Sequence, residues 1–279
     1  MQAMLAGLID YAGLYPPASL DMRSAVQNYR RYCKGKHRNA LGRFVVDLRR
    51  SDELIASAGS LVDLKLSLIL AHPSQADELP KLLDAGAQIE SVECKAASSR
   101  DIEQLGRRLP SGMEAYIEIP IEPVQSDLLQ AIANAGAGVK LRMGGIVAEA
   151  FPSPAAVVRM VAALVSSGAA FKATAGLHHP IRSVHPFTYA QGSAAGLMHG
   201  FVNLFCAAAL IQSGADVAEA ESVLQEQDAA AWSLTGQTFG WRSHVWSLDL
   251  LSRTRKTFVS FGSCSFEEPM RDLEELGWL

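Results

Sequence analysis

Short aliphatic or β-branched runs alternate with capped helical stretches along the whole chain, and this alternation restricts the fold more than any other feature. A strand that leads through a helix to the next strand lies parallel to it, with the helix covering the sheet. The runs are roughly Leu5–Ile9, Arg43–Asp47, Leu64–Leu70, Ile89–Lys95, Met113–Ile119, Val139–Met143, Ala170–Ala175 and Thr257–Phe261. Eight such units in 279 residues predict a TIM (β/α)₈ barrel forming one domain over 1–279.

Start and stop signals bracket the helices. Ser153-Pro154 supplies an N-cap and a proline at the first helical position, with Gly168 as the stop. Ser126 with Gly136 brackets another helix, while Ser98 with Asp101 and Ser265 with Glu268 fit capping boxes. Pro80 delays the helix after Ser74 by a turn. Between the seventh and eighth runs lie about 80 residues, far beyond an ordinary connection. A helical insertion over about 177–255 is expected there, with one buried helix near Leu197–Ile211 and a second from Asp216 and Glu219 to about Trp232. Leaving the carboxyl end of a barrel strand, part of it should cover the mouth.

Charge and cysteine content narrow the partners. The net charge is −4 and the 25 basic residues are scattered, so no nucleic-acid footprint is present and a small molecule is the expected partner. Cys33, Cys94, Cys206 and Cys264 show no C-x-x-C spacing, which points to reduced thiols and a cytoplasmic location. The opening MQAMLAGLIDYAG has no basic segment followed by an apolar run and a cleavage site. The apolar stretch near 197–211 carries His199 and Asn203 and falls short of the roughly 20 residues of a membrane span. Trp241, Trp246 and Trp278 are candidates for covering the site or for a homo-oligomer contact.

Strand parity shows what points into the barrel. Side chains alternate between the helix side and the interior. With the apolar parity outward, the interior receives Lys65 and Ser67, then Glu93 and Lys95, then Glu114, Tyr116 and Glu118, then Lys140 and Arg142, then Lys172 and Thr174. Charges of both signs from five consecutive strands are costly unless they pair, so they mark a site. Part of the set, above all Lys65 with Glu114 near the bottom, is also what a structural ion-pair network would use.

The crowding suggests a reaction. A lysine attacks a carbonyl only as the neutral amine, and Lys172 and Arg142 are expected to lower the pKa of Lys140 by adding like charge. Lys172 is the second candidate nucleophile and Lys95 the third. Glu93, Glu118 and Asp10 are placed to move the protons of carbinolamine formation and carbon–carbon cleavage. Ser263 and Ser265 precede the last helix, whose free N–H groups form an anion site.

Four segments carry a resemblance. LIDYAGLYPPASL (8–20), VKLRMGG (139–145), FKATAGLHHPIR (171–182) and FVSFGSCSF (258–266) are similar, in order and strand by strand, to segments of the deoxyribose-phosphate aldolases. The resemblance implies a class I aldolase without cofactor, with Lys140 as the Schiff-base lysine and Lys172 its neighbour. It also implies Glu93 as the fourth-strand acid, Asp10 as the first-strand carboxylate, and Gly144, Gly145, Gly176, Gly262, Ser263 and Ser265 around a substrate phosphate. Two departures shift the expected substrate away from deoxyribose phosphate: Arg142-Met143-Gly144 replaces Ser-Thr-Gly, and His178-His179 opens the seventh-strand glycine segment. The expectation is therefore a lyase acting on a small carbonyl compound bearing a phosphate or a carboxylate, which Arg142 would grip and His178 would hydrogen-bond. Two alternatives belong to other classes: a non-catalytic anion-binding barrel, and a metal-dependent lyase or hydrolase using His178, His179 and His185. No metal is expected, because lysines occupy the positions where ligands would stand.

Overall fold

The computed structural model describes residues 2–235 and 238–279. The sheet strands are β1 Ile9–Tyr11, β2 Leu41–Asp47, β3 Lys65–Leu70, β4 Gln88–Lys95, β5 Glu114–Glu118, β6 Gly138–Arg142, β7 Phe171–Thr174 and β8 Phe258–Ser263. All neighbours pair parallel, and β8 pairs with β1 to close the ring. The protein is a TIM (β/α)₈ barrel. Leu66 and Leu68 of β3, Val92 of β4, Ile117 of β5, Val139 and Leu141 of β6, and Phe171 and Ala173 of β7 are fully buried against the helices. Each fully buried side chain of this kind contributes roughly 1.5–3 kcal/mol, and that burial keeps the other parity aimed inward.

Two of the expected caps form fully. The helix Pro154–Ser167 starts at Ser153, whose hydroxyl accepts from the Ala156 amide at 3.2 Å, and stops at Gly168 in the left-handed conformation. Ser98 and Asp101 form a reciprocal box at the start of Ser99–Arg108. After β3 a 3-10 stretch, Pro73–Glu78, precedes the helix Leu79–Asp84, so Pro80 lies in that helix's first turn. The helix Ser126–Asn134 ends before Gly136, but Gln125 and not Ser126 stands at its N-cap and no side chain caps it. Ala148–Ser167 is apolar and long enough to cross a membrane by length and composition, and its buried positions include Val157, Val158, Met160, Val161 and Leu164.

Two expectations change. The first strand is Ile9–Tyr11, not Leu5–Ile9: Gln2–Leu5 is a helical turn, and Gly7, at φ 60°, turns the chain before the strand can begin. The segment after β7 is also not all helical. It opens with an antiparallel hairpin, Ser183–Pro186 with Ala195–Met198, so the first buried helix starts at Phe201 and runs to Gln212. The second helix, Val217–Gln225, starts at the expected Asp216 cap but stops well before Trp232. A three-stranded antiparallel sheet follows, Trp232–Leu234, Thr238–Trp241 and His244–Ser247. Phe239 and Trp241, both buried, stand two residues apart, which is a strand period and not a helical one. Trp241, Trp246 and Trp278 are buried in the ring cluster formed with Trp232 and Phe239, so their rings are taken up by packing within the insertion and the last residues of the chain.

Candidate active site

Alternating inward residues near the carboxyl ends of the strands form a chain of opposite charges. Lys172 Nζ lies 2.7 Å from Asp10 and 2.6 Å from Glu93 Oε1. Lys140 Nζ lies 2.8 Å from Glu93 Oε2 and 2.9 Å from Glu118. The ladder therefore runs Asp10, Lys172, Glu93, Lys140, Glu118. Lys172, Asp10 and Glu93 are closed off from water, while Lys140 and Glu118 keep 6% and 12% side-chain exposure on the cavity side.

Backbone and hydroxyl groups fix the buried end of the ladder. The Asp10 carboxylate accepts from the Arg43 amide at 2.8 Å and from the Ser260 hydroxyl at 2.8 Å. Gly42 leaves the room: a Cβ there would stand 2.4 Å from Asp10 Oδ1. Glu93 accepts from Ser67 at 2.8 Å, and Ser91 donates to Ser67. Lys172 also lies over the Tyr116 ring, 5.4 Å from its centroid. Ser67 was legible by parity; Ser260 was missed, although a serine at an inward position of FVSFGS was the available signal.

The electrostatics reverse one expectation. Burial disfavours the Lys140 ammonium, but Glu93 and Glu118 outweigh it and hold its pKa above the ordinary lysine value. Lys172 is raised in the same way, against burial, by Asp10 and Glu93. Glu93 is pulled well below the carboxylate range by the two lysines despite complete burial, and Glu118 is lowered against burial by Lys140. Lys172 does not lower the pKa of Lys140, because the Glu93 carboxylate stands between them with one oxygen on each amine.

Above the ladder opens a cavity of about 380 Å³, walled by Ala12, Tyr15, Val45, Ile69 and Ile146 and floored by Glu93, Lys140 and Lys172. Arg142, the last residue of β6, is exposed at the rim, and Lys95 lies 3.5 Å from Glu118. Gly145, Gly176, Gly262 and His178 line the wall. Ala175, at φ 59°, and Gly176, at φ 67°, turn the chain sharply off β7. Holding an alanine there stores strain at the cavity edge.

Gly144, Ser263 and Ser265 lie elsewhere. Gly144 and Gly176 are seated beneath the Phe151 ring, where a Cβ would meet the ring at 2.4 and 2.7 Å, so packing accounts for both glycines. Phe187 of the hairpin loop stacks on Phe151 at 5.4 Å and braces this wall from outside. Ser263 is buried, with its hydroxyl 3.3 Å from His178 Nδ1. Ser265 caps the last helix, Glu267–Glu275, by accepting from the Glu268 amide. The first turn of that helix holds Glu267 and Glu268, so its dipole already faces carboxylates and not a phosphate.

The histidines have separate tasks. His178 lies 3.2 Å from Glu268, and against burial its contacts with Cys264 and Glu268 raise its pKa to about 9. His179 pairs with Asp272 at 2.5 Å and stacks on His185 at 3.3 Å between ring centroids. Burial and the neighbouring His179 lower His185 to about 4. Among the described residues no three His, Cys, Asp or Glu side chains are arranged to hold a metal.

No family model matches the chain, and no curated protein matches it, so the aldolase resemblance rests on its four short segments. Among solved structures, a UMP synthase from Leishmania donovani matches with 13% identity and a TM-score of 0.42, over 69% of this chain. This chain spans 44% of that protein's length.

Proposed function

We propose that this barrel is a lyase of the aldolase type, in which Lys140 forms a Schiff base with a small carbonyl compound carrying an anionic group. The observation that carries the reading is a buried lysine held between Glu93 and Glu118 on the floor of a cavity. Lys140, and not Lys172, is the releasable amine. Lys172 is locked between Asp10 and Glu93, each fixed by further hydrogen bonds, whereas Glu118 has a second cation, Lys95, to turn to.

A raised lysine pKa is compatible with this chemistry. Lys140 passes a proton to Glu118, and the neutral amine adds to the carbonyl carbon. The oxygen takes the proton back and leaves as water with the second amine proton. The net change converts an ammonium and a carbonyl into an iminium and water, so the Lys140 nitrogen presents Glu93 with one positive charge before and after. Cleavage of the adjacent carbon–carbon bond then sends its electron pair into the iminium, forming an enamine, while a carboxylate of the ladder accepts the proton of the β-hydroxyl.

The charge layout sets the substrate's polarity. Three carboxylates face two ammonium groups in the ladder, leaving it negative by one, while Arg142 and Lys95 stand at the rim. An anionic end is therefore favoured at the mouth and the carbonyl end at the floor. The test is borohydride reduction in the presence of pyruvate, propanal or glyceraldehyde 3-phosphate, followed by peptide mass spectrometry. An adduct on Lys140, lost in Lys140→Met, is the expected result. Labelling confined to surface lysines such as Lys34 and Lys36 would overturn the proposal, and an adduct on Lys172 would exchange the two roles.

A further inference from the structure

Subtracting satisfied groups from the cavity wall leaves very little unpaired. Glu93, Glu118, Lys140 and Lys172 have partners in the ladder. Tyr15 and Arg142 stand apart from the ladder. The Tyr15 hydroxyl is buried without a hydrogen-bond partner in the protein, one of two such side-chain atoms among the described residues. The other, Trp232 Nε1, lies among aromatic rings of the insertion sheet. Tyr15 instead lines the cavity, as does the exposed guanidinium of Arg142.

A buried hydroxyl that no protein group engages has a donor free for a ligand oxygen entering the cavity. Burial, with the nearby Glu93 and Asp47 charges adding to it, pushes the Tyr15 phenol far up, so it stays protonated and can donate. A site whose buried donor waits for a ligand oxygen discriminates strongly against ligands lacking that oxygen.

We propose that Tyr15 is a specificity-determining residue, its hydroxyl binding a substrate hydroxyl while Arg142 holds a phosphate or carboxylate at the rim. This deepens the lysine–carbonyl reading and rests on it: the substrate becomes a hydroxylated, anionic carbonyl compound, with its hydroxyl inside the cavity and its charge at the mouth. Tyr15 sits in the LYPP segment after β1, where its ring also packs on the core. Phenylalanine would keep that packing.

The experiment separates this assignment from the Schiff-base chemistry by using ligands without a carbonyl. Calorimetric titration compares glycerol 3-phosphate with propyl phosphate, which has the same anion and no hydroxyl, on the wild type, Tyr15→Phe and Arg142→Met. The wild type is expected to bind glycerol 3-phosphate about tenfold more tightly than propyl phosphate, the scale of one hydrogen bond to a buried group. Tyr15→Phe should bind the two alike and melt no lower than the wild type, because it removes an unpaired hydroxyl. Arg142→Met should weaken both. Equal preference in the wild type and Tyr15→Phe, no binding of glycerol 3-phosphate by the wild type, or a Tyr15→Phe protein several degrees less stable would each overturn the assignment. The wild-type comparison of the two ligands stands even if the variant folds poorly. Borohydride trapping of propanal, which has neither hydroxyl nor anion, reports on Lys140 alone, so failure there leaves the result for Tyr15 intact.

Discussion

The barrel carries two ion-pair networks, one at each end and both drawing on β4 and β5, and they differ in how much water reaches them. At the amino-terminal end Arg43 reaches Glu90 at 3.1 Å and Glu114 at 2.6 Å, and Lys65 reaches Glu90 at 3.1 Å. Lys65 and Glu114 keep 58% and 52% of their side-chain exposure there. At the other end Lys172 and Glu93 keep 1% and 3%. Exposed pairs are worth about 0–1 kcal/mol and need no cavity above them. A dehydrated ladder is stable only while every charge keeps its partner, so it has the greater capacity to respond to a ligand. Lysine and glutamate thus serve as trim at one end and as the dehydrated floor of the cavity at the other.

The largest expected effect is at Glu93, which joins both lysines. Glu93→Gln should lower unfolding free energy by about 3–5 kcal/mol, the usual result of leaving a buried charge without its partner. Urea denaturation at pH 7 measures it. The pH dependence follows from the sign of the shift: a carboxyl whose folded pKa is depressed contributes stability above its unfolded value. That contribution is lost as pH falls below about 4.5 toward the folded value. The acid limb of the wild type should therefore be steep and that of Glu93→Gln flatter. A loss under about 1 kcal/mol would place the upper network in the same class as the lower one.

A second effect sharpens the functional half of the contrast. If Lys140 gives its proton to Glu118 inside the pair, the reactive tautomer holds a constant share of the singly protonated pair, and trapping of propanal should be nearly flat between about pH 5 and 8. In Glu118→Gln the proton must go to solvent, so the rate should rise about tenfold per pH unit. Single-turnover trapping across that range gives both slopes. A tenfold slope already present in the wild type would remove Glu118 from the proton path.

The two networks also explain how much was legible in the sequence. Parity placed Lys65, Glu93, Glu114, Lys140 and Lys172 inside, because a strand period of two leaves only one alternative when the other face is aliphatic. Parity gives no partner, and here it misled: Lys65 pairs with Glu90, not Glu114, since Glu90 stands where β4 shifts register against β3. The charge states were hidden for a related reason. Lys140 and Lys172 are register neighbours, which suggests mutual repulsion, yet a carboxylate from two strands away enters between them. Tyr15 was invisible because an unsatisfied hydroxyl is a property of three-dimensional surroundings. The glycines of the sixth and seventh loops suggested phosphate binding; Gly144 and Gly176 also make room for the Phe151 ring, a role that glycine spacing does not announce.

The smallest expected effect can break the comparison from its other side. Lys65→Met keeps an apolar stem of similar reach and removes one exposed charge from Glu90. Arg43 remains on Glu90, so no carboxylate is stranded in the interior. The expected loss is under about 1 kcal/mol at low salt, and it should fade in 1 M sodium chloride, where screening acts over about 3 Å. Trapping on Lys140 should be unchanged, because Lys65 touches no member of the upper ladder. Urea denaturation at the two salt concentrations, run beside Glu93→Gln, gives the contrast directly: the deficit of Glu93→Gln should persist in salt, since water and ions do not reach it. A Lys65→Met deficit that matched it in size and in salt resistance would show that the lower network is also dehydrated in solution. The difference between the two ends would then have to come from the cavity alone.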